Sequence, residues 1–439
     1  MFNETVIDQA LIRLYSALIK LGYFDPASAT PYRSLTWADV ATPQAEALAL
    51  KAAEEGIVLL KNDGTLPLSF PTDRTTTIAL VGSWANATTQ MQGNYYGVAP
   101  YLHAPLYAAQ QLPHVNVLYA TGVSGQGDPT TGSWQAALSA AEAADVIVVA
   151  DGISISDESE GMDRNTIDWT GAQLDMLGQY GLMGKPVILL QMGDQLDDTP
   201  LLSNPNISAI LWGGYPGMAG GDALFNIIAG KTAPAGRLPV TQYPAHYVND
   251  VAMTDMNLRP NATSGNPGRT YKWYNDAVLP FGHGLHYTAF NVSFATAATG
   301  GWPSDDIASL VWSCDRSTYK YLDLCPSTSF AIDVVNTGSV TSDYVTLGFL
   351  SGEYEPQPYP IKQLVSYQRL FNITAGATST ATLNLTLGSL AQYDENGNAV
   401  LFPGEYSMMV DVPTLATFNF TLTGSPVALD QWPQRPAQG

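Results

Sequence analysis

Asp145-Val146-Ile147-Val148-Val149-Ala150-Asp151-Gly152-Ile153-Ser154-Ile155-Ser156-Asp157-Glu158-Ser159-Glu160-Gly161-Met162-Asp163-Arg164 joins an apolar run to an acidic one. A continuous β-branched run bounded by turn residues reads as a strand buried on both faces, as in a parallel sheet covered by helices. In such sheets ligands meet the loops that leave the carboxyl ends of the strands. The acidic loop that begins at Asp151 is therefore placed like an active site.

Its residues suit proton chemistry. Asp151, Asp157, Glu158, Glu160 and Asp163 share one stretch with Arg164 as the nearby cation. Like charges at close range raise at least one carboxyl pKa, and a carboxylic acid still protonated near neutral pH can act as a general acid. Two simpler readings stand beside this one, a solvated acidic turn and a carboxylate cage for calcium.

Outward from the loop, strands alternate with helices. Thr77–Val81, Val115–Tyr119, Val146–Ala150, Val187–Gln191 and Ser208–Trp212 read as strands. Between them, Trp134–Ala144 with Ser133 as cap and Ala172–Tyr180 after Thr170 read as helices. This alternation predicts an α/β sandwich with a mostly parallel sheet. From Phe330 the pattern changes to short alternating strands, at Phe330–Val335, Tyr344–Leu350, Thr380–Leu387 and Tyr406–Val412, which predict a β-sandwich. Upstream, Ile7, Leu11, Leu14, Leu18 and Leu21 recur at helical spacing and ask for a partner surface, and Thr42-Pro43 opens a helix over Gln44–Glu55. The expected organisation is a helical linker at 1–70, the α/β sandwich at 71–295, an irregular linker at 296–329 and the β-sandwich at 330–439.

Composition narrows the function classes. With 18 Lys and Arg against 39 Asp and Glu, the 439-residue chain carries a net charge of −21. Such a surface repels phosphate backbones and anionic lipid, which argues against nucleic-acid and membrane-surface roles, and no apolar run reaches the length of a membrane span. Asn-x-Ser/Thr sequons begin at Asn3, Asn86, Asn206, Asn261, Asn291, Asn372, Asn384 and Asn419. Together with the low lysine content they favour an extracellular glycoprotein. Met1–Thr5 does not read as a secretory leader, having no basic segment and no small-residue cleavage site. Cys314 and Cys325 stand close enough in sequence for a disulfide clip, with two separate thiols as the alternative.

Other residues carry weaker signals. Trp84, Tyr95, Tyr96, Trp212 and Tyr215 lie in loops and either stack on sugar rings or fill space between sheet and helices. His283 and His286 lack further ligands at metal spacing and read as structural. Asp194-Gln195-Leu196-Asp197-Asp198, after the fourth strand, is either a solvated turn or extra negative charge at the site.

Glu158-Ser159-Glu160-Gly161-Met162-Asp163-Arg164, extended through Trp169-Thr170-Gly171-Ala172-Gln173-Leu174, resembles the acid/base loop of glycoside hydrolase family 3, in the form carried by its secreted β-xylosidases. Gly93-Asn94-Tyr95-Tyr96-Gly97, Trp212-Gly213-Gly214-Tyr215-Pro216-Gly217, Pro234-Ala235-Gly236-Arg237-Leu238-Pro239 and Asp255-Met256-Asn257-Leu258-Arg259-Pro260 are similar to that family as well. Asn336-Thr337-Gly338 and Pro403-Gly404-Glu405-Tyr406 resemble its closing fibronectin-III-like domain. The resemblance implies retaining hydrolysis of xylo-oligosaccharides from their non-reducing ends, without a cofactor. Arabinofuranoside and, less closely, β-glucoside are the other substrates it allows. Through Glu-Gly-x-Asp-Arg it implies Glu160 as acid/base. Glu158 is the second candidate, because the family's loop varies in length by enough to slip the register by two. Asp163, Arg164, Trp84, Tyr95 and Tyr96 become candidate sugar contacts. The family's amino-terminal barrel, with its nucleophilic aspartate, has no counterpart here, and a (β/α)8 barrel needs about 200 residues or more. A non-catalytic carbohydrate-binding or regulatory protein built from the same domains is the alternative reading. Oligomeric state is not legible.

Overall fold

The computed structural model describes residues 3–122, 132–295 and 306–433. The chain divides into two units, Met1–Ala49 and Leu50–Gly439. In the first, helix α1 (Glu4–Lys20) is capped by Asn3, whose side chain accepts from the Val6 N–H at 3.1 Å. The expected apolar stripe is present, but α1 buries none of its residues, and Ile7, Leu11 and Leu14 are all exposed. Helix α2 (Pro43–Gly56) follows, with Thr42 Oγ1 accepting from the Ala45 N–H as the Thr-Pro signal predicts.

The second unit opens on a six-stranded sheet built from β1 (Val58–Asn62), β2 (Thr76–Val81), β3 (Val115–Ala120), β4 (Val146–Gly152), β5 (Val187–Met192) and β6 (Ala209–Gly214). The order is β1-β6-β5-β4-β2-β3; β1 is antiparallel to β6 and every other pair is parallel. The chain runs outward from β2 to β3 and then crosses back to β4 on the other side of β2. The carboxyl ends of β2 and β4 therefore flank the switch point where ligands of open sheets bind.

Helices α3 (Pro105–Gln110), α4 (Gly132–Ala143), α5 (Gly171–Gly181), α6 (Thr199–Leu202) and α7 (Gly220–Ile228) follow β2 to β6 in turn. Successive side chains of a strand point to opposite faces, and β4 shows how both are used. Val148 and Ala150 pack in a core with Ala108, Leu224 and Phe225, on the side of α3 and α7. Ile147 and Val149 pack in another with Ala137, Ala141 and Leu177, on the side of α4 and α5. An unbroken apolar run is what a two-faced strand requires.

The β-sandwich is antiparallel. Its strands are β7 (Phe290–Phe294), β8 (Pro326–Asn336), β9 (Ser342–Glu353), β10 (Gln363–Ile373), β11 (Thr378–Thr386), β12 (Gln392–Tyr393), β13 (Ala399–Leu401), β14 (Gly404–Val410), β15 (Ala416–Leu422) and β16 (Val427–Asp430). They form sheets of order β10-β9-β14-β15, β11-β8-β7 and β12-β13-β16. Three boundary expectations shift. Strand β1 lies in the stretch expected as linker yet pairs with β6. Strand β7, expected within the α/β sandwich, pairs with β8. The ordered part of the 296–329 linker holds a short helix, Ile307–Trp312, and the start of β8; residues 296–305 lie outside the described residues.

Arg237 joins the two domains of this unit. Its guanidinium donates to Asp411 Oδ1 at 3.0 Å and to the Val345 carbonyl at 3.1 Å, while the Tyr344 hydroxyl donates to Asp411 Oδ2 at 2.6 Å. His286 stacks on Tyr344 with centroids 5.3 Å apart, and burial lowers its pKa to about 3, so it is neutral and structural, as is His283 against the Leu60 carbonyl.

Cys314 and Cys325 are bonded across a sequence separation of 11. A closed loop of that size removes roughly 3 kcal/mol of chain entropy from the unfolded state. The double variant Cys314→Ser/Cys325→Ser should lose a comparable stability in guanidinium unfolding, and adding reductant should lower the wild-type midpoint while leaving the variant unmoved.

Candidate active site

Close backbone approach fixes how the acidic loop leaves the sheet. Gly152 (φ +148°) ends β4 where a Cβ would lie 2.1 Å from the Met192 carbonyl oxygen, and Gly193 (φ +80°) leaves β5 where a Cβ would lie 2.0 Å from that of Ile153. No side chain fits at either position. The two exits interlock, and the Ile153 N–H donates to the Met192 carbonyl at 3.2 Å.

Buried polar groups then fasten the loop at both ends. Asp151 Oδ1 accepts from Ser83 Oγ (2.9 Å), the Gly152 N–H (2.8 Å) and Gln173 Nε2 (3.0 Å). Gln173 also donates to the Gly152 carbonyl at 2.9 Å, and it forms a capping box with Thr170 at the start of α5. Farther along, Trp169 Nε1 donates to Asp198 Oδ1 and Gln242 Nε2 to Asp198 Oδ2, each at 2.8 Å. Asp151 and Asp198 were read as loop charges; they are core anchors, 3 % and 0 % exposed. Burial pushes their pKa values up from 3.8, to about 6 for Asp151 and about 7 for Asp198. Like charge is secondary: Asp157 is the smallest cause at Asp151.

Between these anchors the acidic side chains separate instead of crowding. Asp157 Oδ2 accepts from the Ser154 N–H (2.8 Å) and Oγ (3.1 Å). Glu158 pairs with Arg164, which also donates to the Gln195 carbonyl at 3.3 Å. Ser159 and Met162 then exchange backbone hydrogen bonds of 3.0 and 2.9 Å, so Glu160 and Gly161 form the corner of a two-residue turn. Gly161 at φ +79° supplies the positive φ that such a corner needs at its second position. Glu160 projects from the corner, exposed, with no hydrogen-bond or ion-pair partner among the described residues.

Two cavities flank the loop. One of about 560 Å³ is lined by Asp157, Asp163, Arg164, Asp168 and Gln173, among others. Another of about 340 Å³ is lined by Arg164, Asp194, Gln195, Trp212 and Tyr243, among others. Arg164 borders both, as does neither Glu158 nor Glu160. The Asp194 carboxyl has its pKa raised, first by desolvation and then by the charge of Glu158, so this turn does bring negative charge to the site. Among the described residues no group of three or more His, Cys, Asp or Glu is placed to hold a metal ion.

The aromatic candidates part company. Trp84 is 2 % exposed and meets Tyr215 edge-on at 5.9 Å, which makes it packing and corrects its assignment as a sugar platform. Gly93 lies against the Tyr215 ring, where a Cβ would be 3.2 Å away, and the loop it begins carries Tyr95 and Tyr96, 79 % and 49 % exposed. Burial, followed by the charges of Asp194 and Glu158, pushes the Tyr215 hydroxyl up to about 12, which puts this aromatic stack beside the acidic loop. Sequence reasoning missed Ser83 and Gln173 as anchors; the Thr-x-x-Gln spacing of a capping box was the available signal for Gln173.

A raised carboxyl pKa has a signed consequence. Between pH 3.8 and about 7 folded Asp198 holds a proton that the unfolded chain has released, so its contribution is full below pH 3.8 and is lost as pH rises to about 7. In Asp198→Asn that slope, roughly 4 kcal/mol over the full range, should vanish from urea melts taken across these pH values. The amides of Gln242 and Gln195 can accommodate the change by turning over, since Gln242 Oε1 and Gln195 Nε2 are unpaired.

Residues 57–287 match the family model of the glycosyl hydrolase family 3 C-terminal domain, and residues 345–412 match that of a fibronectin type III-like domain. A probable exo-1,4-β-xylosidase (bxlB) of Aspergillus fumigatus is 51 % identical over 440 residues, covering 99 % of this chain and 55 % of the relative. A solved GH3 exo-β-xylosidase (XlnD), in complex with a xylobiose aziridine probe, superposes with a TM-score of 0.90 at 43 % identity over 99 % of this chain and 55 % of its own. A β-glucosidase of Listeria innocua in complex with isofagomine shares the fold, with a TM-score of 0.74 at 21 % identity over 97 % of this chain and 56 % of its own. The chain spans about half the length of the curated relatives it matches.

Proposed function

The chain belongs to glycosyl hydrolase family 3, and from that premise we propose that it supplies the acid/base half of a retaining exo-1,4-β-xylosidase, with Glu160 as the proton donor. The observation that carries the reading is the Glu160 carboxyl itself, unpaired at the corner of a turn whose base is held by Asp151, Gln173 and the Glu158–Arg164 pair. Glu158 is the weaker candidate because its carboxylate is already engaged by Arg164.

In this mechanism a nucleophilic aspartate, assigned to a barrel domain within the part of the relatives that this chain does not span, attacks the anomeric carbon. Glu160 gives its proton to the departing glycosidic oxygen, which leaves as the shortened oligosaccharide. The Glu160 carboxylate then takes a proton from water as that water attacks the glycosyl-enzyme, releasing xylose and the aspartate. The two carboxyls must come within roughly 5–5.5 Å, which a projecting turn meets by reaching across a domain boundary. Tyr95 and Tyr96 offer exposed rings, and Asp163 and Arg164 offer polar contacts, to a neutral xylo-oligosaccharide. The exposure of all eight sequon asparagines and the Cys314–Cys325 bond support an extracellular glycoprotein.

The test is a chimera with the amino-terminal half of the Aspergillus fumigatus relative placed ahead of this chain, assayed on an aryl β-xyloside. Glu160→Gln should lower kcat by about 10²–10⁴-fold, and azide should restore turnover of the smaller variant Glu160→Ala by replacing the water that then needs no base. Full activity in Glu160→Gln, with loss in Glu158→Gln, would transfer the role to Glu158.

A further inference from the structure

Away from the acidic loop, a cavity of about 380 Å³ opens where the Asp255–Pro260 loop meets the turns of the β-sandwich. Arg259, Glu355, Pro356, Tyr393, Asn396 and Phe402 are among its walls. The volume falls in the range of small-ligand sites. Its chemistry has three parts.

The first is a buried carboxylate. Glu355 is 7 % exposed, and only one of its oxygens has a partner, Arg259 Nη2 at a long 3.4 Å; Oε1 has none. A buried charge this poorly paired is costly in isolation. Desolvation raises the pKa of the group, against the charges of Arg259 and Lys272, which lower it. The second part is rigidity: Arg259 is held over the Trp273 ring, 4.8 Å from its centroid, and reaches the Pro358 carbonyl at 3.4 Å, so the wall between the domains is braced from both sides. The third is exposed aromatic surface. Tyr393, in the cavity wall, is 70 % exposed; Trp432 lies outside the lining and packs on Gly397, within the Asp394–Asn398 turn that directly follows Tyr393. The Trp432 N–H donates to Asn398 Oδ1 at 3.0 Å, which fixes that residue to the turn.

Flat rings bordering hydroxyl-accepting carboxylates and amides match the two faces of a pyranose, apolar C–H groups above and below with hydroxyls around the rim. An anionic ligand is disfavoured by the net charge of −21 and by Glu355 itself. We propose that this cleft is an accessory saccharide-binding site that holds a neutral β-linked pyranose chain, separate from the loop that carries Glu160. The choice of a xylan-type chain rests on the functional reading above; the cleft's own chemistry requires only a neutral sugar.

The experiment is calorimetric titration of xylohexaose into the 439-residue chain and its variants, each first checked by melting. Tyr393→Ala, at an exposed position that folding does not need, should weaken binding at least about tenfold, as truncating an aromatic anchor does. Glu355→Gln should weaken it too, and Glu160→Gln should leave it unchanged. Absence of saturable binding, or binding unaltered by Tyr393→Ala, overturns the proposal. Binding lost in Glu160→Gln but kept in Tyr393→Ala also overturns it, by moving the sugar to the acidic loop. The two readings fail separately: an inactive chimera whose xylohexaose still depends on Tyr393 defeats the catalytic assignment alone.

Discussion

Two backbone exits that lock into each other at the carboxyl edge of the sheet set the geometry of everything above them. At Gly152 and Gly193 the chain passes within contact of the neighbouring strand's carbonyl, at distances where a Cβ would sit 2.1 and 2.0 Å from oxygen. Each exit packs directly on the other's backbone. The acidic loop and the Asp194–Asp198 turn therefore leave the sheet together, beside the switch point between β2 and β4 where an open sheet offers a crevice. The hydrogen bonds of Asp151, Trp169 and Arg164 then orient a loop whose origin is already determined.

Within these loops, structural and chemical carboxylates are sorted by burial. Asp151 and Asp198 sit in the interior, held by donors from other elements, and their raised proton affinity reflects lost solvent. Asp157 closes a turn and Glu158 neutralises Arg164. This leaves Glu160 and Asp163 without structural duty, and of the two Glu160 stands at the corner of the turn. A proton donor that held a salt bridge would have to break it in every catalytic cycle, whereas one at the corner of a turn can meet substrate at no such cost. Water exclusion, which strengthens electrostatic interactions at a reacting centre, would come from whatever packs over the turn.

Much of this was legible in the sequence because its signals were local. The run Val146–Ala150 has no polar break, and it lies in a strand with both faces covered; the five parallel strands end within two residues of where the apolar runs end. The start of α5 after Thr170 is likewise a short-range signal, although the Gln173 half of its capping box goes unread. Long-range relations were not legible. Asp151 and Asp198 look like loop charges until partners from β2, α5 and Gln242 close around them, and no spacing rule connects positions so far apart. Strand β10 hid because its side chains are mostly half-buried, without the clean alternation that marks a strand with one wet face. Strand β7 falls on the near side of the boundary expected at 295 yet joins β8, because a five-residue strand carries no information about which sheet it joins. Trp84 illustrates the same limit for function, since an aromatic in a loop sequence can point inward as readily as outward.

The β-sandwich bears on the site through one segment. Arg237 begins it, donating to Asp411 and to the Val345 carbonyl; Gln242 ends it, donating to Asp198 at 2.8 Å and to Gln195 Oε1 at 2.7 Å. The Gln195 carbonyl in turn accepts from Arg164, the partner of Glu158. Six residues thus tie a strand end of the sandwich to the base of the acidic loop. The physical content of this chain of contacts is stiffness, since it runs through hydrogen bonds of 3.0 Å or less from Asp411 to Asp198 and Gln195. A buried Arg–Asp pair is weak as a source of net stability, because desolvation offsets its attraction, but breaking one side leaves an uncompensated charge. The pair therefore penalises relative displacement of the two domains more than it rewards their association, so what it gives the base of the acidic loop is fixed position more than added stability.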